Sequence, residues 1–423
     1  MVERGAANGA KVTETPATQP PGAADAVRHW TARLLWLSCH RRPDSRHVLE
    51  ALRSGADPRA AATAALGHRI GGLLWRTLEA AGALDALADG REVLARAVEV
   101  QRLRELLLVP RALELAVGPL TRAGFEPLVL KGPCEAVRYP GNGLRPFDDL
   151  DLLLPSGQHA EALRVLRDAG WELARPEARD RYDSVLVHHA APEMPLELHY
   201  ALEAWYDRAS SLRSDELWAR RRPVDLFGVR AYALPAPEEL VALCAHAAKP
   251  YHGFARLMWV ADLAMLLGKM AEQGEDLDWG RVRALAAEGR CATALAAGLS
   301  LARLAGAESP AGLRALPSTG WRAEALRRLV AGEWVLRSAP PIHLRFALAD
   351  DRRRRAMLLI GYAHPFPGVR GRLWYLRNVR HALRRWRDLR HGPGGPGGPG
   401  AGSQARPGRE NLAVGPFSVR PGR

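Results

Sequence analysis

The sequence predicts an α+β protein in which a small mixed β-sheet is flanked by N-terminal and C-terminal helical regions. Apolar side chains recur at helical spacing over residues 27 to 118. Short apolar runs bounded by glycine and proline follow within residues 119 to 234, and helical spacing returns over residues 235 to 350. These changes of pattern predict a helical region, an α+β core and a C-terminal helical domain.

The central region contains two short apolar runs around a glycine-containing turn. Residues 125 to 130 predict a buried strand that leads into Lys131-Gly132-Pro133, where proline is suited to open a short helix. Residues 149 to 154 predict a second strand, which Pro155 ends before a helix. Two further strands are predicted over residues 184 to 189 and 196 to 200.

The two ends of the chain differ from its centre in composition. Residues 1 to 26 lack an apolar segment and are expected to be disordered rather than to form a signal peptide. Residues 351 to 390 predict an Arg-rich helical segment, and residues 391 to 423, rich in glycine and proline, are expected to be disordered.

The net charge of +14 belongs to the C-terminal end of the chain. Residues 351 to 423 contain 16 arginines and three acidic residues, whereas residues 1 to 350 carry a net charge of only +1. Arginine beside Trp374, Tyr375 and Trp386 is compatible with contact to nucleic acid or to an anionic membrane. We favour a third interpretation, a solvated terminal helix, because arginine is abundant throughout this chain.

The four cysteines predict reduced, buried thiols rather than disulfides or a zinc site. Cys39, Cys134, Cys244 and Cys291 are widely separated and form no C-x-x-C motif. No run of 18 apolar residues predicts a membrane span. We therefore expect a cytoplasmic protein without a transmembrane segment.

A pair of aspartates on the second predicted strand indicates a metal site. Residues two apart on a strand point to the same face, so the Cβ atoms of Asp149 and Asp151 are expected to lie roughly 6 to 7 Å apart. Two such carboxylates repel each other unless a cation lies between them, and Mg²⁺ or Mn²⁺ suits oxygen ligands. Glu197 and His199 alternate in the same way on a later strand, so Glu197 is a candidate third carboxylate.

The turn before this strand suits phosphate. Glycine at position 132 permits close approach of a phosphate, and Lys131 adds a compact positive charge. Arg145, four residues before Asp149, is a candidate either for the same phosphates or for a structural pair with these acids. Lys249, one of only four lysines in the chain, is a further candidate for a triphosphate bound in a cleft.

These motifs together resemble the polymerase-beta-like nucleotidyltransferase superfamily, whose pattern is an apolar strand, a glycine-containing turn and an acid-x-acid strand. More closely, they resemble a bacterial branch of uncharacterised nucleotidyltransferases, some found in gene clusters for lasso peptides and other natural products. The motifs that carry this resemblance are Leu130-Lys131-Gly132, Tyr139-Pro140, Leu144-Arg145-Pro146, Asp149-Leu150-Asp151, Glu197-Leu198-His199, His246-Ala247-Ala248-Lys249 and Arg256-Leu257-Met258-Trp259-Val260-Ala261-Asp262-Leu263.

The resemblance implies a metal-dependent transfer of a nucleoside monophosphate from an NTP to an acceptor, with release of pyrophosphate. Asp149, Asp151 and Glu197 would be both the catalytic residues and the ligands of Mg²⁺ or Mn²⁺. The triphosphate would be bound by Lys131, Gly132, Arg145 and Lys249. The chain differs from the usual family pattern in having Glu197 where aspartate is more frequent and Pro133 where serine or glycine is more frequent.

Other interpretations of the same residues remain open at this point. Acid-x-acid is also typical of a solvated strand edge, and Glu197 could pair with an arginine at the surface. His199 is more typical of a buried histidine with a hydrogen-bond partner than of a catalytic base, and His246 is expected to pair with Asp262 between helices. The second hypothesis for function is a noncatalytic protein that binds a nucleotide or a biosynthetic partner.

Overall fold

The computed structural model describes residues 23 to 174, 182 to 202, 210 to 249, 252 to 308, 319 to 336 and 346 to 350, and residue 355. Strands β1 to β7 in these ranges are Leu128–Val129, Leu150–Leu153, Trp171–Leu173, Asp183–His188, Leu196–His199, Arg222–Leu226 and Val229–Ala233. They form one mixed sheet in the order β3-β4-β5-β2-β1-β7-β6. The central pair β2 and β5 is parallel, whereas β1 and β2 are antiparallel. The predicted α+β fold with helical flanks is confirmed.

The sheet has three strands beyond the four that the sequence predicted. Among the described residues, strand β3 lies at one edge of the sheet and pairs with β4 alone. Strands β6 and β7 form a hairpin whose turn residues Phe227 and Gly228 have φ angles of 53° and 80°. Two consecutive positive φ angles are typical of the tight turn that joins antiparallel strands.

Within the described ranges, helices precede and follow the strands in the sequence, and three further helices lie between strands. Helices α1 to α7 are Ala23–Ser38, Ser45–Arg53, Pro58–Gly67, Gly71–Ala80, Gly90–Leu103, Val109–Arg122 and Pro133–Ala136. Helices α8 to α14 are His159–Asp168, Ser214–Ala219, Ala236–Ala247, Leu257–Gln273, Trp279–Glu288, Ala292–Leu304 and Gly320–Val330. A π-helical turn, Arg104–Leu108, joins α5 to α6. No helix in the described ranges combines the length and hydropathy needed to cross a membrane.

The two helical flanks share one hydrophobic core. Leu34 and Leu74 from the N-terminal helices belong to the same buried cluster as Leu263 and Leu326 from the C-terminal helices. Polar contacts also connect the flanks, because Trp36 Nε1 donates to the backbone oxygen of Gly332 at 3.3 Å. Apolar helix faces that are distant in sequence therefore bury each other.

A second core lies between the sheet and two helices that pack on it. It contains Leu113 and Leu120 of α6 and Leu166 of α8, together with Leu152 and Leu198 from the central strands. Helix α6 thus packs on the sheet, although its sequence continues the N-terminal helical pattern. This core fixes the strands that carry the predicted acidic residues.

The predictions for the chain ends fall mostly outside the described residues. This applies to residues 1 to 22, to the tail over residues 391 to 423, and to the Arg-rich segment except Arg355. Helix α1 begins at Ala23, four residues before the predicted helical region. All four cysteines are buried, as the sequence predicts.

Candidate functional site

The pairing of β2 with β5 brings the predicted acidic residues to one face of the sheet. In this parallel pair Asp151 lies opposite Glu197, and Leu153 lies opposite His199. Because side chains alternate along each strand, Asp149 and Asp151 share a face with Glu197 and His199. The structure therefore places Glu197, the candidate third carboxylate, on the same face as the two aspartates.

His199 connects two of these carboxylates. Its Nε2 lies 2.9 Å from Asp151 Oδ1 and 3.5 Å from Glu197 Oε2. Burial by itself lowers the pKa of His199, but its hydrogen bonds to Asp151 and Glu197 raise this pKa to about 9. The imidazole is therefore protonated at neutral pH and contributes a positive charge to the site. The sequence interpretation of a buried, hydrogen-bonded histidine is confirmed, although its position between two candidate ligands was not foreseen.

Lys131 lies on the other side of Asp151. Its Nζ is 2.6 Å from Asp151 Oδ2 and 3.8 Å from Asp149 Oδ1. Burial acts to lower the pKa of Lys131, but the carboxylates of Asp149, Asp151 and Glu197 raise it above its usual value. The ammonium group therefore stays charged beside both aspartates.

The backbone around Lys131 is fixed on both sides. Leu130 donates its N–H to the backbone oxygen of Asp151 at 3.0 Å. Gly132 has a φ angle of 71°, and a Cβ at this position would lie 3.2 Å from a ring carbon of Phe147. The backbone angle therefore favours glycine at this turn, and a Cβ here would require the Phe147 ring to shift by a few tenths of an ångström.

The three carboxylates differ in exposure and charge. The Asp151 side chain is 1% exposed, whereas those of Asp149 and Glu197 are 36% and 27% exposed. Burial alone would raise the pKa of Asp151, but Lys131 and His199 hold it well below its usual range. Lys131 lowers the pKa of Asp149, yet burial and the neighbouring acids raise it overall. Asp151 is the anchored acid, and the other two are accessible.

The donor set fits a divalent cation. Carboxylate oxygens of Asp151 and Glu197 lie within 4.8 Å of each other beside the protonated His199, and Asp149 adds a further carboxylate two residues before Asp151. Burial raises the pKa of Glu197, but its hydrogen bond to His199 lowers it. The net shift of this pKa is downward, which favours the ionised form. Clustered ionised oxygen donors are typical of Mg²⁺ and Mn²⁺ sites.

These side chains open into a cavity of about 250 Å³ between the sheet and the C-terminal helices. Lys131, Asp149, Asp151, Glu197 and His199 line its sheet wall. The opposite wall is formed by side chains that include Glu239, His246, Lys249 and His252. The structure therefore brings Lys131 and Lys249 to the same cavity although 118 positions separate them in the sequence.

Lys249 is held at the helical wall by local contacts. Its Nζ donates to the backbone oxygen of Leu202 at 3.1 Å and lies 5.6 Å from the centroid of the Tyr182 ring. Lys249 therefore brings its ammonium group to the cavity wall through a hydrogen bond to the backbone.

Two histidines beside Lys249 form a neutral aromatic surface, which sequence reasoning missed as a unit. The rings of His246 and His252 have centroids 4.5 Å apart, and that of His252 lies 4.5 Å from the Trp259 ring. Burial and the nearby Lys249 lower the pKa of His252 to about 3, and burial also lowers the pKa of His246. The motif that contains His246 and Lys249 was the available signal, but it does not include His252.

Arg145 lies in an ion pair rather than beside the aspartates of the sheet. Its Nε and Nη2 donate to the two carboxylate oxygens of Asp262 at 3.1 and 2.8 Å. Tyr139 Oη also donates to Asp262, at 2.8 Å. The expected pair of His246 with Asp262 is therefore wrong, because Asp262 binds Arg145 and Tyr139 instead. A phosphate-binding role for Arg145 stays a prediction.

Comparison with known protein families identifies the family to which this chain belongs. Residues 54 to 305 match the family model described as uncharacterised nucleotidyltransferase. No curated protein and no solved structure showed a significant match to the chain. The matched range covers more than half of the chain and includes the acidic cluster, Lys131 and Lys249. The predicted resemblance to nucleotidyltransferases is thereby confirmed, and the chain belongs to the uncharacterised nucleotidyltransferase family.

Proposed function

We propose that this protein is a metal-dependent nucleotidyltransferase that moves a nucleoside monophosphate from an NTP to an acceptor hydroxyl or related group. The observation that supports this most directly is the convergence of Asp149, Asp151 and Glu197 on one wall of a cavity that also contains Lys131 and Lys249. Family membership supports the same reaction class. Acidic ligands and separate cations in one cavity are what a metal-bound triphosphate requires.

The acidic residues have distinct roles in this proposal. Mg²⁺ or Mn²⁺ bound at Asp149, Asp151 and Glu197 would supply charge neutralisation and activation of the attacking oxygen. Asp151 is the rigid ligand, because β2 and His199 fix its position. Asp149 and Glu197 are the accessible carboxylates that face the substrate.

The bonds exchanged in the reaction follow from its products. The acceptor oxygen forms a bond to the α-phosphorus, the bond from that phosphorus to the bridging oxygen breaks, and pyrophosphate leaves. Glu197 is partly exposed and ionised, and it accepts the proton of the acceptor hydroxyl. The helical wall that carries His246 and His252 forms one side of the acceptor pocket.

The phosphates are bound by the two lysines of the cavity. Lys131 reaches from the sheet wall and Lys249 from the helical wall. The glycine at position 132 keeps the turn free of side-chain atoms next to Lys131. Arg145 would act on the same phosphates only after its pair with Asp262 opens, so we assign it the smallest share of binding.

The decisive experiment is a transfer assay with α-labelled NTPs and either Mg²⁺ or Mn²⁺, screened against small molecules, peptides and RNA. The wild-type protein is expected to label an acceptor and release pyrophosphate. An Asp149→Asn/Asp151→Asn variant is expected to lose about 10³-fold or more of this activity, because it retains too few charged ligands. Full activity in this variant would contradict the proposal.

One observation favours a second candidate, a noncatalytic nucleotide-binding protein. The Lys131 ammonium group lies beside both aspartates, so a cation of the chain itself balances part of their charge. Calorimetry with each NTP, with and without Mg²⁺, distinguishes the two. Nucleotide binding without transfer to any acceptor in the panel would support the noncatalytic function.

The cellular setting of this activity is predicted from the sequence alone. A role in natural-product biosynthesis rests on the resemblance to the lasso-peptide-associated branch. A cytoplasmic location rests on the four reduced cysteines. Contact of the basic segment over residues 352 to 390 with nucleic acid or anionic membrane remains the less favoured alternative, and deletion of residues 351 to 423 tests it by salt-dependent binding.

A further inference from the structure

The ammonium group of Lys131 lies beside the carboxylates of both aspartates on β2. Its Nζ is 2.6 Å from Asp151 Oδ2 and 3.8 Å from Asp149 Oδ1. Asp149 and Asp151 share one strand face, so their charges repel unless a cation lies between them. In this structure the chain itself supplies that cation.

A divalent ion bound by the same two carboxylates would occupy overlapping space. Mg²⁺ binds carboxylate oxygens at about 2.0 to 2.1 Å, which would place it close to the present position of the Lys131 ammonium group. Two positive charges at such a distance repel strongly inside a protein. The ammonium group and the ion are therefore alternative partners of Asp149 and Asp151.

The geometry of Lys131 allows its head group to move while its backbone stays fixed. The hydrogen bond from Leu130 to Asp151 and the constrained turn at Gly132 hold the backbone on either side of Lys131. The side chain is 26% exposed and lines the cavity, so its flexible stem has space to turn toward bound phosphates. Arginine at this position would form a more rigid, bidentate pair.

We propose that Lys131 competes with the divalent cation for Asp149 and Asp151, and that its ammonium group must leave these carboxylates before the ion binds. This inference rests on the proposed metal-dependent function and adds a role for Lys131 in setting metal affinity. His199 keeps its contact with the other oxygen of Asp151 throughout. Free metal ion therefore binds more weakly than it would in the absence of this ammonium group.

Titration calorimetry with Mn²⁺ alone tests the competition without any measurement of activity. The proteins compared are the wild type, Lys131→Gln and Lys269→Gln. Lys131→Gln is expected to bind Mn²⁺ at least about 10-fold more tightly than the wild type, since it removes the competing charge. Lys269→Gln is the matched control because Lys269 lies on α11 and is not among the residues that line the cavity, and its affinity is expected to change by less than about 2-fold.

Two further proteins make each outcome decisive. Lys131→Met removes the same charge and keeps an apolar stem, so it replaces Lys131→Gln if thermal melting shows that the glutamine variant is unfolded. The Asp149→Asn/Asp151→Asn variant is expected to lose Mn²⁺ binding. Equal or weaker Mn²⁺ binding by folded Lys131 variants would overturn the competition and leave the proposed function intact. Absence of Mn²⁺ binding in all proteins, or its retention in the aspartate variant, would overturn the metal site and with it both proposals.

Discussion

Two clusters of acidic residues lie close together in this protein and are neutralised in different ways. The cavity cluster consists of Asp149, Asp151 and Glu197 with Lys131 and His199. The arginine cluster consists of Glu135, Glu239 and Asp262 with Arg138 and Arg145. Each cluster contains three acids and two basic groups, so the difference between them comes from the type of cation and from burial.

In the arginine cluster the pairs are bidentate and buried. Arg138 donates to both carboxylate oxygens of Glu239, and Arg145 donates to both oxygens of Asp262. The remaining acid, Glu135, lies 3.8 Å from Arg145, and burial raises its pKa well above the usual value despite that arginine. Two arginines from the segment between α7 and β2 thus pair with two carboxylates, and these pairs join that segment to helices α10 and α11.

The cavity cluster uses partners that are easier to exchange. Lysine presents a point charge on a flexible stem, and histidine is a single-contact donor to each acid, whereas arginine fixes a planar pair. Two of the three cavity acids are also partly exposed. The comparison shows two uses of similar acids. Acids in buried bidentate pairs with arginine stabilise the structure, whereas acids that contact lysine and histidine remain accessible to ligands.

The largest expected effect comes from breaking the arginine cluster. Asp262→Ala should reduce the free energy of unfolding by about 3 to 5 kcal/mol, because it leaves Arg145 buried without its partner. Chemical denaturation measures this change. The control is Asp148→Ala, which breaks the exposed pair with Arg69 and should cost about 0 to 1 kcal/mol. Similar losses in both variants would show that the arginine cluster is not a structural element.

The second effect concerns the imidazole of the cavity cluster. NMR titration should give a pKa of about 9 for His199 in the wild type. In Asp151→Asn this pKa should fall by at least about one unit, since a charged hydrogen-bond partner is lost. A matching Glu239→Gln substitution in the arginine cluster should leave it nearly unchanged. An unperturbed His199 pKa in the wild type would refute the ion-pair geometry.

The raised pKa of His199 also predicts how the free energy of unfolding depends on pH. Its folded value of about 9 lies above the ordinary value of 6.5, so the stabilisation is complete below pH 6.5 and is lost as pH rises through about 9. His199→Gln should therefore be destabilised relative to the wild type at neutral pH, and this difference should shrink in alkaline solution. Denaturation curves across this range measure it, and a difference that grows with pH would contradict the prediction.

A smaller effect is expected when a cavity acid is neutralised. The pKa of Asp149 is raised overall because burial and the other acids outweigh Lys131. Its ionisation therefore opposes folding as pH rises through its folded pKa. Asp149→Asn should leave the free energy of unfolding within about 1 kcal/mol of the wild type at neutral pH, in contrast to Asp262→Ala. A larger loss would mean that Asp149 is structural.

A separate, pH-dependent effect is predicted at Glu105, a buried acid outside both clusters. Burial raises its pKa from 4.5 to about 7, although the N–H of Gly143 and the charge of Arg145 act to lower it. The stabilisation from its bound proton is complete below pH 4.5 and is lost as pH rises through about 7. In denaturation experiments Glu105→Gln should reduce this loss of stability with rising pH. The control Glu99→Gln, at an exposed residue, should not. An unchanged decline in Glu105→Gln would contradict the assignment.

Much of the candidate site follows from local sequence. Alternation along β2 places Asp149 and Asp151 on one face, and the glycine at position 132 marks the turn that carries Lys131. Strands β6 and β7 were harder to predict because they mix charged residues such as Arg222 and Arg230 with apolar ones. Their pairing with each other and with β1 stabilises them, and that pairing is not visible in either segment alone.

The sequence by itself determined the fold class, the paired aspartates, and a third acid at strand spacing. Only the tertiary structure decided that Asp151 lies opposite Glu197 and that Lys131 and Lys249 share one cavity. It also decided that Arg145 binds Asp262, 117 positions away. Side-chain alternation is a local property of the backbone, whereas these contacts depend on strand register and on how two hydrophobic cores close around long connections.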